Sequence, residues 1–135
     1  MKITVYLDMD GTIADLYGIE NWLPRLRNED SKIFLECKPM ITQETLFEKF
    51  PQNQFEIKIL SMTPKDASNE YCENVIGQKN AWLNVHFPEI TKRIYRKYGN
   101  NKNLRNSAKA ILIDDSKPIR ESWRGTALNP IELWG

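Results

Sequence analysis

The chain has 135 residues, 19 of them basic and 18 acidic, for a formal charge of +1. That length fits one domain with a genuine core, so residues 1–135 are read as a single unit. The near-zero charge excludes a global pull toward nucleic acid or an anionic membrane; any anion preference must come from a local site. Two cysteines, Cys37 and Cys72, show no paired spacing and exclude a disulfide framework or a thiolate metal cluster. No stretch approaches the ~18 apolar residues of a membrane span. The apolar run from Ile3 meets Asp8 too soon for a secretory leader, and a cytoplasmic protein is expected.

Ile3 to Leu7 is β-branched and aromatic-rich and predicts a buried strand ending at Asp8. Gly11-Thr12 breaks it. Ile19, Trp22, Leu23 and Leu26 recur at helical spacing, with Pro24 either starting or kinking the helix. The segment from Asn28 to Pro51 is less regular, although Thr42 to Phe50 reads as an amphipathic helix stopped by Pro51. Phe55 to Leu60 alternates and predicts a strand ending at Ser61. A long helix begins at Ala67 or Ser68, with Tyr71, Val75, Lys79, Trp82, Leu83 and His86 near one stripe, and Pro88 closes it. Ile94 and Tyr95 mark a short strand, and residues 100–103 a polar loop. Ala110 to Ile113 is wholly apolar, as a central parallel strand requires, and ends at Asp114-Asp115. A helical turn from Lys117 to Trp123 and a strand at 125–128 follow. Strands alternating with helices predict an α/β, Rossmann-like three-layer domain with a mostly parallel sheet.

Three of these strands end in polar groups: Asp8 and Asp10, Ser61, and Asp114 and Asp115. Ligands bind at the carboxyl ends of open parallel sheets, so these groups are expected to converge on one rim. Four carboxylates together repel unless a cation sits among them, and an all-oxygen set selects a hard ion, Mg²⁺ first. Asp8 and Asp10 are two apart and share a face in extended backbone. One carboxylate of such a pair can attack phosphorus while the other exchanges protons with the leaving oxygen and the incoming water. Gly11 permits a sharp turn, and the amides around it are expected to bind phosphate oxygens.

Asp8-Met9-Asp10-Gly11-Thr12 after the first strand, Ser61 ending Ile59-Leu60-Ser61, and Asp114-Asp115 after Ile111-Leu112-Ile113 resemble, in order and spacing, the motifs of the haloacid dehalogenase-like phosphohydrolase superfamily. Asp8 to Asp15, Trp82 late in the long helix, and Leu112 to Asp115 are similar to its 5′(3′)-deoxyribonucleotidase branch. That branch's Thr-Ser-Pro stands here as Ser61-Met62-Thr63-Pro64, so the phosphate-binding hydroxyl is Ser61 or Thr63. The resemblance implies Asp8 as nucleophile and Mg²⁺ ligand, and Asp10 as acid/base that also ligates through its carbonyl. It further implies Ser61 and Met62 as phosphate binders, and Asp115 before Asp114 as metal ligand. It calls for a basic residue at the phosphate, for which chain order favours Lys102, with Lys97 and Arg105 as alternatives. Residues 16–54 correspond to a small helical cap insert. The implied activity is Mg²⁺-dependent hydrolysis of a small phosphomonoester, a nucleotide first, through an aspartyl-phosphate.

Other readings follow from the same residues. A nucleic-acid 3′-phosphatase shares the chemistry, and a non-catalytic phosphate- or partner-binding domain shares the fold; two intact aspartates disfavour the latter. Seven basic residues between Lys92 and Lys109, with Tyr95 and Tyr98 interleaved, offer a nucleic-acid contact that the overall charge disfavours. His86 has no partner motif for triad chemistry and reads as packed.

Overall fold

In the computed structural model, which describes residues 1–99 and 101–134, every expected strand of the main sheet is present. Asn100, first residue of the expected polar loop, lies outside the described residues. The elements in chain order are β1 (Ile3–Leu7), β2 (Ala14–Asp15), α1 (Trp22–Arg27), a 3₁₀ turn (Ile33–Glu36), β3 (Lys38–Pro39) and α2 (Gln43–Lys49). They continue with β4 (Phe55–Met62), α3 (Asn69–His86), β5 (Arg93–Arg96), a 3₁₀ turn (Ser107–Lys109), β6 (Ile111–Ile113), α4 (Lys117–Ser122), β7 (Thr126–Leu128) and α5 (Pro130–Trp134).

The helix boundaries follow local chemistry. Thr42, Ser68 and Ser116 each accept a backbone N–H three residues on, capping α2, α3 and α4. Pro24 sits third in α1, where its missing N–H costs no intrahelical bond. The helix starts later than the Ile19 periodicity suggests because Asn21 is left-handed (φ 60°). The two-residue strands β2 and β3, paired antiparallel, and the terminal α5 were not foreseen; elements this short carry no readable period.

β5-β4-β1-β6-β7 forms one fully parallel sheet. β1 lies at its centre, with Leu7 opposite Ile59 on one side and Ile113 on the other. From β1 the chain moves out to β4 and β5, then returns to β6 and continues to β7. Between β1 and β6 the connections diverge, and the carboxyl ends of the strands at such a switch point are the place open parallel sheets bind ligands.

Alternation along the strands divides the core. Val5, Leu7, Ile57, Ile59 and Ile113 face α3, meeting Tyr71, Val75, Trp82 and Leu83. Tyr6, Leu60 and Leu112 face the opposite way, toward Ile119 of α4 and Trp123. Full burial of a side chain such as Leu7 or Ile59 contributes roughly 1.5–3 kcal/mol. The segment 16–54 adds Leu16, Ile33, Phe34, Leu46 and Phe50 to the first cluster and so has no core of its own. It is also bonded to α3: the Tyr71 hydroxyl donates to the Asp30 carbonyl (2.7 Å), the Trp82 indole to the Cys37 carbonyl (2.7 Å), and the Phe34 amide to Gln78 (2.9 Å).

Candidate active site

Asp8 continues β1 by one residue, its amide donating to the Ile113 carbonyl (3.0 Å). β6 ends beside it, and the carboxylates of Asp8, Asp114 and Asp115 present oxygens within 4.8 Å of one another. Lys102, 3% exposed, reaches into this trio from the loop before β6. It donates to Asp8 Oδ1 (2.7 Å), Asp114 Oδ2 (2.8 Å) and the Leu60 carbonyl (3.0 Å). Those three bonds use all its N–H donors, so what it offers an arriving anion is charge at short range. Lys97 bonds Asn69 and Arg105 is exposed, so Lys102 is the one of the three expected candidates inside the site.

Thr12 completes this half. Fully buried, its hydroxyl lies 3.0 Å from Asp8 Oδ2 and 3.3 Å from Asp115 Oδ1, and it accepts the Asp115 amide (3.2 Å). Asp114 is tied on both oxygens, by Lys102 and by the Ser116 amide (2.9 Å). Asp115 has neither of those bonds.

Gly11 turns the chain with φ +77°. A Cβ there would collide with the Asp115 carboxylate and the Tyr17 ring, so the position requires glycine for both conformation and space. The expectation that amides around Gly11 bind phosphate does not hold for Gly11 and Thr12. Their N–H groups donate to the Ala14 and Met9 carbonyls (2.9 and 3.0 Å), because Thr12, Ile13 and Ala14 all fold back onto Met9.

The second half lies on the β4 side. Asp10 is not one of the converging trio; its Oδ2 accepts from Lys79 (3.1 Å), while its Oδ1 is buried without a partner among the described residues. Lys79 is completely buried and also donates to Ser61 Oγ (2.7 Å) and the Met62 carbonyl (2.9 Å). Ser61 and Met62 thus both border Asp10. The Ile59 and Thr63 amides run to the carbonyls of Lys92, just before β5, and of Arg96 within it, so strand alternation turns the Met62 N–H toward β1. The Thr63 hydroxyl is directed at the Arg96 carbonyl (3.5 Å), whereas the Ser61 hydroxyl is buried against Lys79 beside Asp10.

Four carboxylates and two ammonium groups meet here, leaving two negative charges uncompensated. Burial works against ionisation of Asp8, but Lys102 outweighs it and holds the carboxyl below its ordinary range. Burial, opposed by Lys79 and reinforced by Asp8, pushes Asp10 up. Burial and Asp8 push Asp114 up to about 6, against Lys102. Burial and the adjoining Asp8 carboxyl push Asp115 up to about 8. Lys102 loses to burial but gains more from Asp8 and Asp114, and stays protonated. An all-oxygen trio with surplus negative charge, one member of which holds its proton to near neutral pH, fits a hard divalent cation.

Lys79 and Thr12 were not anticipated as site residues. Lys79 carried a signal, a lysine in the middle of an apolar helical stripe, which stays buried only when an acid meets it. Thr12 carried none beyond its place after Gly11. No protein-family model matches the chain, and no curated protein matches it either.

Proposed function

We propose that the protein is a Mg²⁺-dependent phosphomonoester hydrolase of the haloacid dehalogenase-like type, acting through an aspartyl-phosphate, with a nucleotide as substrate. The observation that carries this reading is geometric: the Asp8, Asp114 and Asp115 carboxylates converge around Lys102 at the end of the central strand, while Asp10, two residues on, is bonded by Lys79 beside Ser61. In the same sense, Lys102 draws the Asp8 carboxyl down and burial pushes Asp10 up. Neighbouring acids driven apart in this way divide into nucleophile and proton donor.

In the first step an Asp8 oxygen attacks phosphorus. The ester P–O bond breaks, its electron pair goes to the leaving oxygen, and Asp10 gives that oxygen its proton. In the second step Asp10 takes a proton from water as it attacks phosphorus. The bond to Asp8 breaks, and inorganic phosphate leaves. Ser61 and the Met62 amide bind phosphoryl oxygens, and Lys102 keeps Asp8 anionic between turnovers. Asp8 and Asp115, with Asp114 beside them and the Asp10 carbonyl, would hold Mg²⁺, which when bound neutralises charge on the phosphoryl oxygens.

The nucleotide assignment rests on the resemblance of Asp8 to Asp15, Trp82 and Leu112 to Asp115 to the deoxyribonucleotidase branch. A second reading, the 3′-phosphorylated end of a nucleic acid, is favoured by a cleft of about 240 Å³ beyond β4. It is lined by Thr63, Lys65, Asn69, Lys97 and the exposed Tyr98 among others. Two ammonium groups and an aromatic ring suit a flanking nucleotide. Assay of deoxynucleoside monophosphates beside a 3′-phosphorylated oligonucleotide, with Mg²⁺ and with EDTA, separates the two. No turnover of any phosphomonoester under Mg²⁺ would sink both and leave the binding-domain reading.

A further inference from the structure

Lys79 has no role in the sequence motifs, yet no side chain among the described residues is more fully enclosed. It sits in α3 between Val75 and Trp82, on the face that packs against the sheet. The Phe34 ring, 4.9 Å from its Nζ, closes over it from the 16–54 segment. That segment is fixed to the same helix face by the bonds of Tyr71, Gln78 and Trp82, so the enclosure is built in.

A lysine so enclosed could hold the substrate phosphate or hold the groups that act on it. The donor count decides. An ammonium has three N–H groups, and here they go to Asp10 Oδ2, Ser61 Oγ and the Met62 carbonyl. None remains for substrate. Each bond also constrains its acceptor. With Oδ2 fixed to Lys79, the unpartnered Oδ1 is the Asp10 oxygen left for another group. With Ser61 Oγ accepting from Lys79, the serine proton is left for a different acceptor.

We propose that Lys79 is a positioning residue that fixes the Asp10 carboxyl as proton donor to the leaving oxygen and sets the Ser61 hydroxyl as a donor to the phosphoryl group. This inference rests on the proposed phosphatase activity and adds to it the residue that aims the acid. It ties the acid to α3 and, through Phe34, to the 16–54 segment.

The test compares two aryl esters that differ in their need for protonation. p-Nitrophenolate leaves without a proton, whereas phenolate at neutral pH needs one. Because kcat/KM reports on steps up to aspartyl-phosphate formation, Lys79→Met is expected to lower it for phenyl phosphate at least about tenfold more than for p-nitrophenyl phosphate. In an Asp10→Asn background the extra loss on phenyl over p-nitrophenyl phosphate should shrink to within about threefold, since two residues acting through one proton transfer do not add, and what remains, equal on both esters, is the Ser61 part. Equal losses on both esters with Asp10 intact, or an undiminished difference between the esters in the Asp10→Asn background, would overturn the assignment and make Lys79 a packing residue. If Lys79→Met melts before assay, Lys79→Gln is put through the same comparison. Wild-type protein inactive on both esters and on the deoxynucleoside monophosphates and 3′-phosphorylated oligonucleotide would refute the phosphatase reading itself. Wild-type activity that is lost in Asp8→Asn, with Lys79 variants uniform across esters, would refute this inference alone.

Discussion

The two sides of β1 hold the same kinds of group in opposite balance. On the β6 side three carboxylates face one ammonium, Lys102; on the β4 side one carboxylate faces one ammonium, Lys79. The first is short of positive charge and suits a divalent cation, so its lysine cannot by itself satisfy the cluster. The second is balanced and closed, so its lysine can hold a single carboxyl in place. The β1 turn feeds both, Asp8 to one side and Asp10 to the other. A single three-residue span thereby supplies one carboxyl to the acid-rich side and one to the balanced side, and the proposed division into nucleophile and acid follows from that charge balance.

That asymmetry can be broken one side at a time. Asp8→Asn replaces the proposed nucleophilic carboxylate with a neutral amide and is expected to cost at least about a thousandfold in kcat for aryl phosphate hydrolysis. Asp10→Asn should cost about 10²–10⁴-fold in steady-state assays, with the larger loss on poorer leaving groups. Gly11→Ala introduces a Cβ against Asp115 and Tyr17 at a positive φ, and should cost about 1–3 kcal/mol in thermal unfolding along with most activity. Arg105→Ala, an exposed change outside both halves, should leave kcat/KM on p-nitrophenyl phosphate within about twofold.

pH separates the two sides further. Asp10, Asp114 and Asp115 bind protons more tightly folded than unfolded, Asp115 up to about 8. Between about pH 4 and pH 8 the folded protein therefore holds protons that the unfolded chain releases, and metal-free stability falls as pH rises through that window. Asp8 runs the other way: its lowered pKa contributes stability above the ordinary carboxylate range that is lost on acidification. Mg²⁺ should relieve the first effect. In thermal melts its stabilisation is expected to be several degrees larger at pH 8 than at pH 5.5. Equal shifts at both pH values would count against a cation site in the trio.

The sheet was legible because apolar runs such as Ile3 to Leu7 and Ala110 to Ile113 end abruptly in acids. Placing those ends on one rim needed only the parallel topology. Lys102 was legible by chain order, although its commitment of all three donors to protein acceptors was not. Lys79 was placed on the correct helix face and read as part of a stripe; its partners lie 17 to 69 residues away, beyond any local pattern. The antiparallel pair of β2 and β3 and the closing α5 were invisible because they carry no apolar run or period of their own and are set by tertiary contacts. One of those contacts is the Trp134 indole on the Thr12 carbonyl (3.1 Å). The backfolding of the amides after Met9 was likewise unreadable, since an Asp-Gly turn permits several hydrogen-bond patterns.

The central claim is that Asp8 becomes phosphorylated. Wild-type protein mixed with Mg²⁺ and excess p-nitrophenyl phosphate, quenched in acid and digested, should yield a peptide carrying a phosphoryl group on Asp8 that hydroxylamine removes. Asp8→Asn should yield none. Rapid hydrolysis with no acyl-phosphate on Asp8, or turnover that survives Asp8→Asn, would contradict the account.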